Sequence, residues 1–292
     1  MRTQLLASAL LGTIVSSVVA GPVPHPAQSR VLPMRRRHNE ERSRPWSATM
    51  PLRAASYDLV FDVEITIGGQ NFLVIADTGS ADLWVVGDGF ECVDSDTGLE
   101  IPQKDCLYTK TYHQSSTYEK TPDETFGVQY GTGVALGDVA TEKMSFAGFT
   151  VEAQTFGVVK RTDSPGSGID SGILGLGYPI LTSAHPGDSI ADNTTLLFDR
   201  ILYSPLIQSM AAQGPIDPWF SFAIGRLPRH QKVGPGGYLA IADYPPVEYS
   251  PDFAVAPVEI TEAIPLILTN NTAQITEWTL TVPTVFLSLI HI

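Results

Sequence analysis

The residues best suited to chemistry are Asp77-Thr78-Gly79-Ser80, a carboxylate followed at once by two hydroxyls and a glycine. They interrupt an apolar run, Leu73 to Ala76, which resumes as Leu83-Trp84-Val85-Val86. Both apolar pieces have the length and composition of buried strands. A carboxylate at the end of a buried strand is costly unless it is hydrogen-bonded or has a task. Gly79 lets a backbone N–H approach the acid, and Thr78 and Ser80 supply hydroxyls to fix its orientation. A strand-end turn is the plain alternative, because Asp and Gly favour turns anyway. The tripeptide alone does not decide. Asp96-Thr97-Gly98 repeats it inside the polar stretch Glu91 to Glu100, with no apolar strand before it. The flanking strands carry the information, and they favour Asp77.

Three further segments follow in order. Phe126-Gly127-Val128-Gln129-Tyr130-Gly131-Thr132-Gly133 reads as two short strands around a glycine-rich tip. Gln114-Ser115-Ser116-Thr117-Tyr118 precedes it, and Ser171-Gly172-Ile173-Leu174-Gly175-Leu176-Gly177 reads as a core strand and turn. With Asp77 in its strand context, this series resembles the pepsin-like aspartic proteases. The resemblance implies a mainly β, bilobal fold, with a complete first lobe and a truncated second. It implies Asp77 as a catalytic carboxylate supported by Thr78, Gly79 and Ser80. It also implies a hairpin flap, in which Tyr130 hydrogen-bonds Trp84 and closes over substrate with Gly131 and Thr132. Ile75 and the flap would face substrate side chains, which implies a preference for hydrophobic residues beside the cleaved bond. The family usually has Asp-Gly-Ile-Leu-Gly where this chain has Ser171 to Gly175, so Asp170-Ser171-Gly172 is not expected to be a catalytic triplet.

The ends of the chain differ from its body. Arg2, the apolar stretch Leu5 to Val19 and Val18-Val19-Ala20 form a secretory signal peptide over residues 1–20, too short to span a bilayer. Residues 21–55 are Pro-rich and basic, and read as a propeptide with Arg36-Arg37 or Arg53 as cleavage points. Residues 1–53 hold eight of the 18 Lys and Arg against two acids, which leaves 10 basic and 29 acidic residues beyond, a net −19. Such a body repels phosphates, so nucleic acid is excluded as a partner. It suits work at low pH, where protonation relieves self-repulsion. Cys92 and Cys106 are the only cysteines. In a secreted chain they form a local disulfide, and closing a loop of about 15 residues contributes about 3 kcal/mol. The family commonly has such a bond just after the first catalytic strand. Asn193 and Asn270 begin glycosylation sequons. Scattered histidines give no metal site, and no cofactor is expected.

Residues 56–214 read as the N-terminal catalytic lobe and 215–292 as part of the C-terminal one. Strands are expected over Tyr57 to Ile67 and Asn71 to Ala76, around a Gly68-Gly69 hairpin, and again over Trp219 to Gly225 and Gly237 to Ala242. A helix is expected over Thr195 to Gln213, kinked or divided by Pro205. Family members hydrolyse peptide bonds with two carboxylates that share a proton and a water, one from each lobe. A second apolar-apolar-Asp-Thr/Ser-Gly segment does not follow Val282, and no acid follows Glu277. The expected protein is therefore a secreted, extracellular, monomeric aspartic endopeptidase acting on protein or peptide substrates, without a membrane segment, and inactive in this truncated form. The alternative is a non-catalytic secreted glycoprotein that keeps the cleft as a peptide-binding surface.

Overall fold

Period-two patterning sets the first hairpin. In β2 (Val60–Ile67) the buried residues Val63, Ile65 and Ile67 alternate along the strand. They pack against Phe72 and Val74 of β3 (Gln70–Asp77). Gly68 and Gly69 take φ of 55° and 78°, the left-handed values that a two-residue hairpin needs. The structure, a computed structural model, describes residues 46–131, 133–188, 196, 199–250, 253 and 257–258.

The remaining strands are β1 (Ala48–Ala55), β4 (Leu83–Val93), β5 (Glu100–Ile101), β6 (Glu119–Tyr130), β7 (Gly133–Phe146), β8 (Phe149–Thr162), β9 (Gly172–Gly175), β10 (Ala184–Pro186), β11 (Phe220–Ile224) and β12 (Gly234–Ile241). They form one mixed sheet in the order β10-β6-β7-β8-β4-β9-β3-β2-β1-β12-β11, with β5 on β4. The mainly β expectation holds, and β11 and β12 match the two strands foreseen late in the chain. The helix is shorter than the sequence pattern predicted. Among the described residues of that span, α-helix is confined to α1 (Leu206–Gln213), with Pro205 as its N-cap. Proline restricts the residue before it to extended backbone, so the apolar stripe upstream of Pro205 does not continue the helix. Ile201 there instead bridges Ala184.

Two features position the site. β9 lies between β3 and β4, parallel to β3 and antiparallel to β4. That insertion needs bare backbone: a Cβ on Gly172 would stand 1.9 Å from the Trp84 carbonyl oxygen, and one on Gly175 2.4 Å from the Ala81 carbonyl carbon. β1 is hydrogen-bonded to β2 on one side and β12 on the other, so the expected boundary at residue 55 coincides with the end of a sheet strand. Two apolar clusters lie on the sheet. One gathers Val63, Ile65, Phe72, Val74 and Met144, while the other gathers Trp84, Val86, Phe126, Val128 and the Cys92–Cys106 disulfide.

Candidate active site

Asp77 is the last residue of β3, half-buried where the strand gives way to a turn. The turn is fixed from β9 and just beyond it. The Leu176 N–H donates to the Asp77 carbonyl (2.7 Å), the Gly177 N–H to Ser80 (2.7 Å) and the Gly175 N–H to Asp82 (2.8 Å). The carboxylate is then oriented by its own loop. The Gly79 N–H donates to Oδ1 at 2.9 Å and the Ser80 hydroxyl to Oδ2 at 2.5 Å. Ser80 is buried, while Thr78 and Gly79 are exposed. The result is an acid with both oxygens directed and one side open.

Tyr130 ends β6 and pairs with Gly133 across the hairpin tip. Gly131 is exposed there, and Thr132 lies outside the described residues. The buried Trp84 ring donates its Nε1–H to the Tyr130 hydroxyl at 2.8 Å. Burial first, then the Asp82 charge, pushes the Tyr130 phenol well above 10, so it stays neutral at any working pH. Ile75, two residues before Asp77 and on the same strand face, lines a cavity of about 310 Å³ with Trp84, Tyr108, Tyr130, Asp170 and Ile173. A larger cavity of about 640 Å³ beside α1, bounded by Leu176, Tyr178, Ile207, Ile216 and Phe220, has no carboxylate in its wall.

The other expected residues separate cleanly. Cys92 and Cys106 are bonded beneath the hairpin, in the same apolar cluster as Trp84. Asp96-Thr97-Gly98 is an exposed turn, closed by hydrogen bonds from the Thr97 N–H and hydroxyl to Asp94. Asn193 and Asn270 lie outside the described residues. Among the described residues no group of three or more His, Cys, Asp and Glu is placed to hold a metal ion, and no helix is long and apolar enough to cross a membrane. Sequence reasoning passed over two acids near the cavity. Asp62 falls within the expected strand Tyr57 to Ile67 without a role of its own, and Asp170 begins a triplet not expected to be catalytic, yet both are fully buried. Asp62 stands directly between apolar neighbours, Phe61 and Val63, but period-two alternation reads the same way for an acid on a solvated face.

The family model for eukaryotic aspartyl proteases matches residues 60–279. The chain belongs to that family. Among its relatives are a probable aspartic-type endopeptidase of Aspergillus fumigatus, 37% identical over 69% of this chain and 44% of that protein, and cathepsin E of Rattus norvegicus, 31% identical over 69% and 44%. The crystal structure of an aspartic proteinase from Irpex lacteus shares the fold with a TM-score of 0.56 at 21% identity, covering 76% of this chain and 55% of that one. This aspartyl protease chain thus matches less than half the length of these curated relatives. The matched portion contains Asp77 and the Tyr130 hairpin.

Proposed function

We propose that this chain supplies the first carboxylate, the flap and one wall of the cleft of a secreted aspartic endopeptidase. The observation that carries this reading is the directed, half-buried Asp77 carboxylate on the same strand face as a cavity capped by Tyr130. Two carboxylates at close range cannot both ionise, so they titrate as a pair that contains one base and one acid. Asp77 and its counterpart would hold a water between them. The base takes the water's proton as its oxygen attacks the peptide carbonyl, and the acid protonates the carbonyl oxygen. Ser80 and Gly79 keep Asp77 facing that water, while the Trp84–Tyr130 hydrogen bond sets the height of the flap.

Of the three Asp-Thr/Ser-Gly triplets in the chain, only the one at Asp77 has this setting, so the counterpart must come from elsewhere. The chain expressed alone is expected to show no turnover of a denatured protein between about pH 3 and 5. A form with a second Asp-Thr/Ser-Gly segment is expected to be active and to lose activity on Asp77→Asn. Undiminished activity in that variant would refute the reading. Turnover by this chain alone, abolished by Asp77→Asn, would indicate that two copies pair their Asp77 residues. Proteolytic maturation fits cleavage at Arg36-Arg37 better than at Arg53, since Arg53 is paired within β1. N-terminal sequencing of the protein recovered from culture medium checks this.

A further inference from the structure

Two carboxylates take no part in that reaction, yet both are buried beside the cavity next to Asp77. Asp62 and Asp170 each have 0% exposure. Neither oxygen of Asp62 has a hydrogen-bond partner, and neither does Oδ1 of Asp170. The other oxygen of Asp170 accepts the Ser167 N–H at 2.5 Å. Burying unpartnered carboxylate oxygens is strongly unfavourable, and apolar residues of similar size would be cheaper. Packing therefore does not account for them.

Strand register ties both acids to one cavity. Arg53 pairs with Asp62, Asp62 with Ile75, Ile75 with Ile173, and Ile173 with Trp84. Registered neighbours point to the same face, so the row crosses β1, β2, β3, β9 and β4 on one side of the sheet. Three of its members, Ile75, Ile173 and Trp84, line the 310 Å³ cavity, and Asp62 is the next in the row. Asp170 lines the cavity itself, with Oδ1 only 2.8 Å from where a Cβ on Gly166 would stand.

We propose that this cavity receives a cationic side chain, Lys or Arg, of a bound peptide, with its stem on Ile75, Ile173 and Trp84 and its charge on Asp170 and Asp62. Long cationic side chains bury an apolar stem and gain from aromatic neighbours, and Trp84, Tyr108 and Tyr130 supply these. The inference rests on the reading of the Asp77 cleft and replaces the hydrophobic preference that the family resemblance implied. The charged and titratable groups facing the acids are Arg53 on β1, the phenols of Tyr108 and Tyr130, and Asp163 behind Tyr108. With both acids ionised, Arg53 offsets one charge and leaves one for the ligand. Burial, and then the Asp170 charge, pushes the Asp62 carboxyl up to about 7 against the pull of Arg53. Burial also raises Asp170, against its hydrogen bonds from Ser167. In acid the empty cavity therefore holds protons that a cation must displace, so the preference for cations grows as pH rises towards 7.

Three acetylated heptapeptides that differ only in a central Lys, norleucine or Glu test this through tryptophan fluorescence of the whole chain. At pH 7.5 the Lys peptide should bind about tenfold tighter than the norleucine peptide, falling to within about twofold at pH 4.5. Asp62→Asn and Asp170→Asn should each erase the Lys preference and leave norleucine binding in place. Equal affinities for Lys and norleucine at both pH values would overturn the inference, meaning that the acids hold only water. Failure of all three peptides to bind at pH 7.5 would overturn it too. Neither result bears on turnover by a two-carboxylate form, which tests the Asp77 reading separately. Should the variants not fold, the pH dependence of the wild-type Lys-to-norleucine ratio decides.

Discussion

Glu142 and Asp62 are both fully buried acids on strands of one sheet, and their surroundings could hardly differ more. Glu142 accepts hydrogen bonds from the Tyr112 hydroxyl (2.5 Å), the Ser115 hydroxyl (2.6 Å), the Thr117 hydroxyl and the Lys143 N–H (2.7 Å). Burial alone would raise its pKa, but these donors win and hold it below the usual glutamate value. Asp62 has no donor, and its carboxyl moves the opposite way. A satisfied buried acid organises a loop, here Gln114 to Tyr118. An unsatisfied one stores unfavourable energy that a ligand can release. The contrast separates scaffold from site more sharply than burial does.

Removing the satisfied acid should have the largest effect. Glu142→Ala strands three hydroxyls and a backbone N–H and is expected to cost about 3–5 kcal/mol in urea unfolding. A loss below about 1 kcal/mol would dissolve the comparison. The unsatisfied acid should behave in reverse. Because the folded-state pKa of Asp62 is raised, its contribution to stability is fully present below the unfolded value near 4 and is lost as pH rises through about 7. Asp62→Asn should therefore stabilise the fold at pH 8 by about 2–4 kcal/mol and change little at pH 4. A thermal melt series from pH 4 to 8 reads this directly, and a variant less stable than wild type at pH 8 would contradict it. Glu142 has the opposite sign, since its lowered pKa gives stability that is lost as pH falls through the folded value.

Smaller effects sharpen the boundary of the site. Tyr130→Phe removes the acceptor of the Trp84 indole N–H, for a loss of about 1 kcal/mol. It should weaken binding of the norleucine peptide more than it weakens the fold. Asp96→Asn, in the exposed turn, should change stability by less than about 0.5 kcal/mol and leave peptide binding untouched. A measurable loss of binding would mean that Asp96 belongs to the site.

The strand-forming patterns around Asp77 were legible because apolar alternation and Gly-Gly punctuation are local signals. The Asp77 turn itself was legible in residue type, whereas its hydrogen bonds from beyond β9 depend on a segment far away in the chain. Pro205 was legible as an interruption of the helix, whereas the departure of Ile201 to bridge Ala184 depends on a distant segment that an apolar stripe does not register. Asp62 was invisible for a deeper reason. Its face of β2 becomes interior only when β1, β9 and the Ser164–Asp170 loop close around it, and no pattern within Val60–Ile67 encodes that closure.

The threading of β9 between two strands that are neighbours in sequence has a kinetic consequence. β3 and β4 leave the ribosome together, but their shared partner follows about a hundred residues later. Until it arrives, their facing edges are open and the Asp77 turn lacks its outer clamps. Pairings of such long sequence separation form slowly, because the chain entropy of closing the loop must be spent before contacts repay it. The acid turn should consequently be among the last parts of the molecule to gain protection from hydrogen exchange during refolding, well after the Gly68-Gly69 hairpin.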